Sequence, residues 1–309
     1  MPTDDPTVTS DPGTGHPLVG AAVTARIVSG GPAGFRCAVR DTATLRTWEA
    51  LLPRAHAYAV PEGAAAPDLA PGDTLTALVV GVSGAPGGSG TSGAPGVSGA
   101  PGRSAVPAKR GRRDGAGGEP GRLLLSATAP ELAGRVLAGF VDEILRGRVV
   151  IKAVARVAGT KTKIAVAATV RGVDARGACI GRGAGRLRAA ERLLNRASGR
   201  ERLEIIEYSG DPARFLANAM SPVRVTEVLI RDDGDAVVAV EEHQLSGGIG
   251  EGGLNAQLAG RLTGHYVQVV RAGTDLRTVR RAPRTRNRHR NPKRTPGRGR
   301  GRERRRDET

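Results

Sequence analysis

Residues 176–190 read Arg-Gly-Ala-Cys-Ile-Gly-Arg-Gly-Ala-Gly-Arg-Leu-Arg-Ala-Ala, and residues 245–259 read Leu-Ser-Gly-Gly-Ile-Gly-Glu-Gly-Gly-Leu-Asn-Ala-Gln-Leu-Ala. Both centre on Ile-Gly, and both run through glycines into a stretch suited to helix. Outward from each core the same series recurs: strand, strand, helix, glycine loop, helix, strand. In the first copy, 149–208, the pattern predicts strands Val149–Val157 and Thr162–Thr169, helices Val173–Ile180 and Gly185–Ala197, and a strand Leu203–Tyr208. In the second, 223–271, it predicts strands Val223–Ile230 and Ala236–Val240, helices Glu242–Ile249 and Asn255–Thr263, and a closing strand Tyr266–Val270. One glycine loop between helices is a weak signal; two in matching contexts form an internal repeat, which is a strong one.

Glycine at these places has a physical use. A loop without Cβ atoms lets a nucleotide backbone approach the main chain closely. The helix that follows offers free N–H groups and a partial positive dipole to a phosphate. An apolar wall beside the loop can take a few unstacked bases, as in single-strand RNA recognition. The candidate contact residues are Ile180, Gly181, Arg182, Gly183, Ala184, Gly185 and Arg186 in the first copy, with Lys163 on its second strand. In the second copy they are Ile249, Gly250, Glu251, Gly252, Gly253 and Asn255. Arg188, Lys152 and Lys161 are further cations nearby, each as readily a solvated surface charge. The plain alternative for either loop is a helix C-cap in a packed domain.

Around the repeat, Glu131–Leu145 carries Leu132, Val136, Phe140 and Ile144 at helical spacing, and Pro212–Met220 reads as a helix capped by Asp211. Ahead of it lie short β-rich runs, Val19–Val28, Ala33–Arg40, Thr47–Leu52 and Thr74–Val82, and then Arg122–Thr128. Four strands, an interruption and a fifth strand suit a small OB-type barrel. The interruption, 83–121, holds three Ser-Gly-Ala-Pro copies and a basic cluster at Lys109–Arg113, so it reads as a disordered insertion. Residues 1–17 read as a disordered leader.

The net charge is +17 and the sequence pI about 11.3, which favours a polyanionic partner. From Arg280 to Thr309 there are 14 Lys or Arg and 3 Asp or Glu, so a disordered basic tail supplies most of the excess. Such a tail binds RNA or any polyanion with little selectivity and strong salt dependence. The two cysteines, Cys37 and Cys179, have no metal-ligand spacing, and Cys179 reads as core. None of the five histidines falls in a catalytic motif. No acidic metal cluster, P-loop or run of about 20 apolar residues is present, so neither an enzyme nor a membrane protein is expected. The opening Asp4, Asp5 and Asp11 argue against a secretory leader. Phe35, Trp48 and Tyr58 are the only Phe, Trp or Tyr of the β-rich part available for base stacking, and core packing is the better reading for Phe35.

Beyond these residue-level readings, the chain resembles the NusA family of transcription termination/antitermination factors. The resemblance is carried by Val150-Ile151-Lys152-Ala153-Val154-Ala155-Arg156, by Gly177-Ala178-Cys179-Ile180-Gly181, by Ile205-Ile206-Glu207-Tyr208-Ser209, and by Ala217-Asn218-Ala219-Met220-Ser221-Pro222. In the second copy it is carried by Gln244-Leu245-Ser246, Ile249-Gly250, Asn255-Ala256-Gln257-Leu258-Ala259 and Leu262-Thr263-Gly264. It runs from about Gly121 to Arg271, and more loosely into the β-rich part through Glu49–Pro53 and Leu125–Thr128. It implies an α+β fold, with an OB-type barrel at 18–128 followed by type II KH domains at 129–222 and 223–279, and then the tail from 280.

By the same resemblance the chain captures single-stranded nascent RNA and modulates termination or antitermination, with RNA polymerase and other elongation factors as further partners. It implies no cofactor, no metal and no catalysis, and a monomer in the cytoplasm. The alternative is an RNA-binding paralogue uncoupled from polymerase, in ribosome assembly or RNA turnover. Two departures stand inside the loops: Ala184 replaces the last glycine of the first, and Glu251 stands where a basic residue is common in the second. The family's N-terminal polymerase-contacting domain has no counterpart before Leu18, so recruitment by that route is not expected.

Overall fold

The computed structural model describes residues 16–58, 69–83, 121–195 and 200–280. The leader, insertion and tail read from the sequence lie outside these residues, apart from their junctions.

Five strands form the first unit: β1 (Ala22–Gly31), β2 (Gly34–Arg40), β3 (Thr47–Pro53), β4 (Thr74–Val82) and β5 (Leu123–Ser126), with the short helix α1 (Arg54–Ala57) after β3. They close in the order β1-β2-β3-β5-β4, with β4 pairing back onto β1, which is the five-stranded Greek-key barrel expected. Alternation fills it, with Ala25 and Ile27, Phe35, Cys37 and Val39, Ala50 and Leu52, Leu75, Ala77 and Val79, and Leu123 and Leu125 pointing inward. The insertion joins the barrel at a bonded neck, where the Ser83 N–H donates to the Arg122 carbonyl at 2.8 Å. Closing a loop on such a neck costs free energy that grows only logarithmically with its length, so a long insertion is tolerated.

The second unit runs α2 (Pro130–Ala138), α3 (Asp142–Leu145), β6 (Val149–Val157), β7 (Lys161–Ala168), α4 (Ala175–Ile180), α5 (Gly185–Leu194) and β8 (Arg202–Glu207). The third runs α6 (Pro212–Ala219), β9 (Val225–Ile230), β10 (Asp235–Val240), α7 (Leu245–Ile249), α8 (Leu254–Thr263) and β11 (Tyr266–Arg271). Each sheet has an antiparallel pair and a parallel pair, in the orders β6-β7-β8 and β9-β10-β11. The common helix–strand–strand–helix–helix–strand order makes α6 the counterpart of α2 and α3. Its Phe215, Leu216 and Ala219 pack with α8 and β10, so α6 opens the third unit, whereas the sequence grouping left it at the end of the second.

The single helix predicted over 131–145 is two. Gly139 caps α2, Val141 is fully buried, and Phe140 is turned outward to 36% exposure, out of phase with the predicted stripe. Glycine's weak helix propensity permits the break, and the burial of Val141 favours it.

The units stack by one rule. The helix side of the second unit receives Leu78 from the outside of β4, and the Thr76 hydroxyl donates to the Leu193 carbonyl at 3.1 Å. At the same junction buried Arg156 pairs with Glu201 (2.8 and 2.9 Å) and donates to the carbonyls of Ala127 and Ala129 (2.9 and 2.7 Å). The back of that unit's sheet, Ala153, Ala155, Ala165 and Ile206, is covered by α6 and α8 of the third unit. Small side chains on this face let α8 approach closely. The corresponding back of the third unit's sheet (Val237, Ala239, Leu229 and Val270) is covered by Leu276 and Val279. Arg231 holds that segment by donating to the carbonyls of Leu276 (3.2 Å) and Val279 (2.7 Å).

Candidate nucleic-acid interface

The two glycine loops are superimposable in conformation. In the first, Gly181, Gly183 and Ala184 have φ of 72°, 55° and 58°; in the second, Gly250, Gly252 and Gly253 have 77°, 57° and 80°. The same turn closes each one, from Ala184 N–H to Gly181 O and from Gly253 N–H to Gly250 O, both 3.0 Å. Ala184 therefore keeps the left-handed backbone that its glycine counterpart adopts, at a cost of about 1–2 kcal/mol for a residue bearing a Cβ.

The glycines divide into two kinds. At Gly181 a Cβ would lie 2.8 Å from Cγ of Arg186, and at Gly250 it would lie 2.7 Å from the Asn255 backbone nitrogen. These two are required by the protein's own packing. At Gly185, Gly252 and Gly253 a Cβ would meet nothing within 4 Å. These line an open face, where another molecule's backbone can come close. Helices α5 and α8 start there without any side-chain cap. The first amide of each turns back into the loop, Gly185 N–H to Arg182 O and Leu254 N–H to Glu251 O. The positive end of each helix dipole favours an anion beside the loop.

Ile180 is half-buried before the first loop and Ile249 is 40% exposed before the second, each offering apolar surface beside its glycines. Arg182 and Glu251 occupy the same loop position and both are exposed. The charge contrast extends over the units. Residues 127–208 hold sixteen Lys or Arg against eight Asp or Glu, whereas 212–276 hold five against eight. At 4 Å in water two unit charges interact by about 1 kcal/mol, so this contrast is large enough to bias where a polyanion lies.

Two candidate contacts are corrected. Lys163 is completely buried; its ammonium donates to Glu204 (2.5 Å) and to the Ser221 carbonyl (2.7 Å), bridging the second unit to the segment that enters the third. Burial lowers its pKa and Glu204 opposes that shift. Asn255 is 2% exposed, its side-chain amide spent on the carbonyls of Met220 (3.1 Å) and Gly248 (3.2 Å). Neither side chain can reach a ligand: the segment entering the third unit closes over Lys163, and α6 and α7 of its own unit enclose Asn255. Arg186 is half-buried, and its guanidinium donates to Glu143 (3.0 Å) and Ala178 O (2.7 Å). Arg188 donates to the Gly183 carbonyl, and Lys161 pairs with Glu204 at 2.8 Å.

Between the two units lies a polar cleft of about 310 Å³, lined by Arg176, Glu207, Asn218, Ser221 and Arg224. Its two exposed arginines come from different units, 48 residues apart, and no local motif marks them. On the barrel, Phe35 and Tyr58 are buried and Trp48 is half-buried edge-on against His16 at 4.6 Å, so among the described residues no Phe, Trp or Tyr ring there lies open for base stacking. Burial pushes the thiols of Cys37 and Cys179 up to about 11, away from nucleophilic use. Among the described residues no His, Cys, Asp or Glu group could hold a metal ion, and no helix is long and apolar enough to cross a membrane.

Comparison with known proteins agrees with this geometry. Residues 127–208 match the NusA-like first KH domain and residues 212–276 the NusA-like second KH domain. The transcription termination/antitermination protein NusA of Mycobacterium tuberculosis is 45% identical over 149 residues, which is 48% of this chain and 42% of that protein. NusA of Bacillus subtilis is 38% identical over 164 residues, 53% and 43% of the two chains, and NusA of Thermus thermophilus 40% over 146 residues, 47% and 37%. The match thus spans less than half the length of each of these relatives. Residues 127–276 of this chain are a tandem pair of NusA-type KH domains.

Proposed function

We propose that this protein binds single-stranded RNA through its glycine loops, the first providing the main grip, and acts on nascent transcripts to modulate termination or antitermination. The observation that supports the reading is the paired loop: open glycines set directly ahead of uncapped helices, in the same conformation twice. A phosphate backbone laid over Gly183–Gly185 meets the positive end of the α5 dipole, the exposed Arg182 and a strongly basic unit. The same backbone over Gly252–Gly253 meets a helix N-terminus too, but beside Glu251 on a unit of opposite net charge. The second loop is therefore the weaker holder of phosphate. The two exposed arginines of the cleft, one from each unit, offer further cations to a bound backbone. The barrel gives no stacking platform among the described residues, so we assign it a supporting part in the RNA track, and the tail an unselective one. Nucleic-acid capture without catalysis accounts for all of these features.

Titration of a labelled single-stranded oligoribonucleotide, against duplex RNA and single-stranded DNA, tests the binding. Gly185→Asp puts a carboxylate on the open face at an ordinary helical φ, so it is expected to weaken RNA binding by tenfold or more, about the effect of losing one charged hydrogen bond, with the melting temperature unchanged. Unchanged affinity would remove the first loop from the interface. A single-round transcription assay with core polymerase then reads the second half of the proposal. Altered readthrough at a terminator supports it, and unaltered readthrough favours an RNA-binding role apart from polymerase.

A further inference from the structure

Arg186 and Asn255 stand at the same place in the repeat, as the second residue of the helix that follows each glycine loop. Each lies against the first glycine of its loop, where a Cβ would come within 2.8 Å of the Arg186 or Asn255 side chain. Each donates back to a carbonyl near the end of the short helix that enters the loop, Ala178 O at 2.7 Å and Gly248 O at 3.2 Å. Each also reaches the first helical segment of its unit. Arg186 pairs with Glu143 on α3 at 3.0 Å, and Asn255 donates to Met220 O, the residue that caps α6, at 3.1 Å. Three points are thus tied in both units by one side chain, charged in the first and neutral in the second.

We infer that Arg186 and Asn255 are positioning residues that clasp the glycine loops in their binding shape, and that Arg186 acts through Glu143 rather than as a phosphate ligand. This rests on the RNA-binding reading above. The clasp holds the left-handed loop, including the unfavourable Ala184, against the pull of its backbone toward commoner conformations. It also makes the two loops respond differently to their surroundings. The first is held by an ion pair whose side chains are about one-third exposed, so salt screens it in part, while the second is held by buried neutral bonds that salt leaves alone.

The test is RNA titration over a range of salt with the full-length protein, using a labelled mixed-sequence oligoribonucleotide. Removing a true phosphate ligand flattens the dependence of log affinity on log salt by about 0.7 per contact for a single strand. Arg182→Ala is expected to show that flattening, whereas Arg186→Ala lowers affinity about tenfold, the order of one charged hydrogen bond, with the slope unchanged. Glu143→Gln supplies the decisive sign. Deleting a carboxylate near a polyanion should strengthen binding if electrostatics alone acts, and the clasp requires that it weaken. A flattened slope in Arg186→Ala, or tighter binding in Glu143→Gln, overturns the inference. Hydrogen exchange without RNA reads the clasp independently. Amides of 181–186 should exchange faster in Arg186→Ala and Glu143→Gln, and those of 250–255 in Asn255→Ala. Faster exchange with no RNA binding by the unaltered protein would sink the functional reading and leave the clasp standing. Unchanged exchange would sink the clasp itself.

Discussion

Ala184 shows how one residue can depart from a motif and still keep its geometry. Its φ of 58° is close to the 55° of Gly183 before it, so the loop is intact and the departure is a local cost. Ala184→Gly is expected to raise unfolding stability by about 1 kcal/mol, the left-handed penalty less the entropy glycine restores to the unfolded chain, as read by chemical denaturation. Glu251 is the reverse case, an ordinary backbone bearing the wrong charge for phosphate. Glu251→Arg is expected to tighten RNA binding and to steepen its salt dependence by about 0.7, one added phosphate contact. An unchanged slope would mean that RNA does not pass over the second loop. Buried Lys163 makes a third expectation. Lys163→Met leaves Lys161 to pair with Glu204, so it should cost less stability than the roughly 3–5 kcal/mol typical of orphaning a buried charge, and it should leave the salt slope of RNA binding unaltered.

At the scale of elements, the repeat was legible because it depends on local pattern: period-two strands, glycine at left-handed positions, helices with one apolar stripe. The ranges predicted for β4 and β6 coincide with those observed. Legibility ended where partners come from far along the chain. Lys163 and Asn255 have the polar character of ligands, and only tertiary packing reveals them as buried braces, Lys163 under the segment entering the third unit and Asn255 between α6 and α7. Arg186 and Glu143 are 43 residues apart, so no spacing rule joins them. The break at Gly139–Val141 is hidden from local pattern for a related reason. Its helical spacing through Phe140 is sound locally, and burial of the neighbouring Val141 decides the phase.

On the whole molecule, the junction between barrel and first KH domain depends on a buried acid. Burial alone would raise the Glu201 pKa, but Arg156, the Thr162 hydroxyl and the Gly159 N–H outweigh it, and the net shift is downward. A carboxyl depressed in the folded state adds stability above its unfolded pKa, and loses it as pH falls through the folded value. Thermal melts should therefore hold from neutrality to about pH 5 and decline below about pH 4, near the ordinary range of Glu. In Glu201→Gln that decline should shrink, from a lower starting stability because Arg156 is left partly unpaired. An acid limb of equal size in the variant would place the titrating group elsewhere.

The segment under Arg231 matters for what does not happen next. Each sheet back in this stack is a docking face, and the last one, had it been left open, would present Leu229, Val237, Ala239 and Val270 to any passing apolar surface. Leu276 and Val279 do for the stack what a terminator does for a growing polymer. Cutting the chain after Ala272 should give concentration-dependent association in sedimentation, while cutting after Arg280 should not. The segment also fixes a starting point. The cations that follow residue 280 begin at one surveyed spot on the last KH domain, with Gln268 holding the Arg280 carbonyl at 3.1 Å, so that whatever they attract is gathered from a set origin.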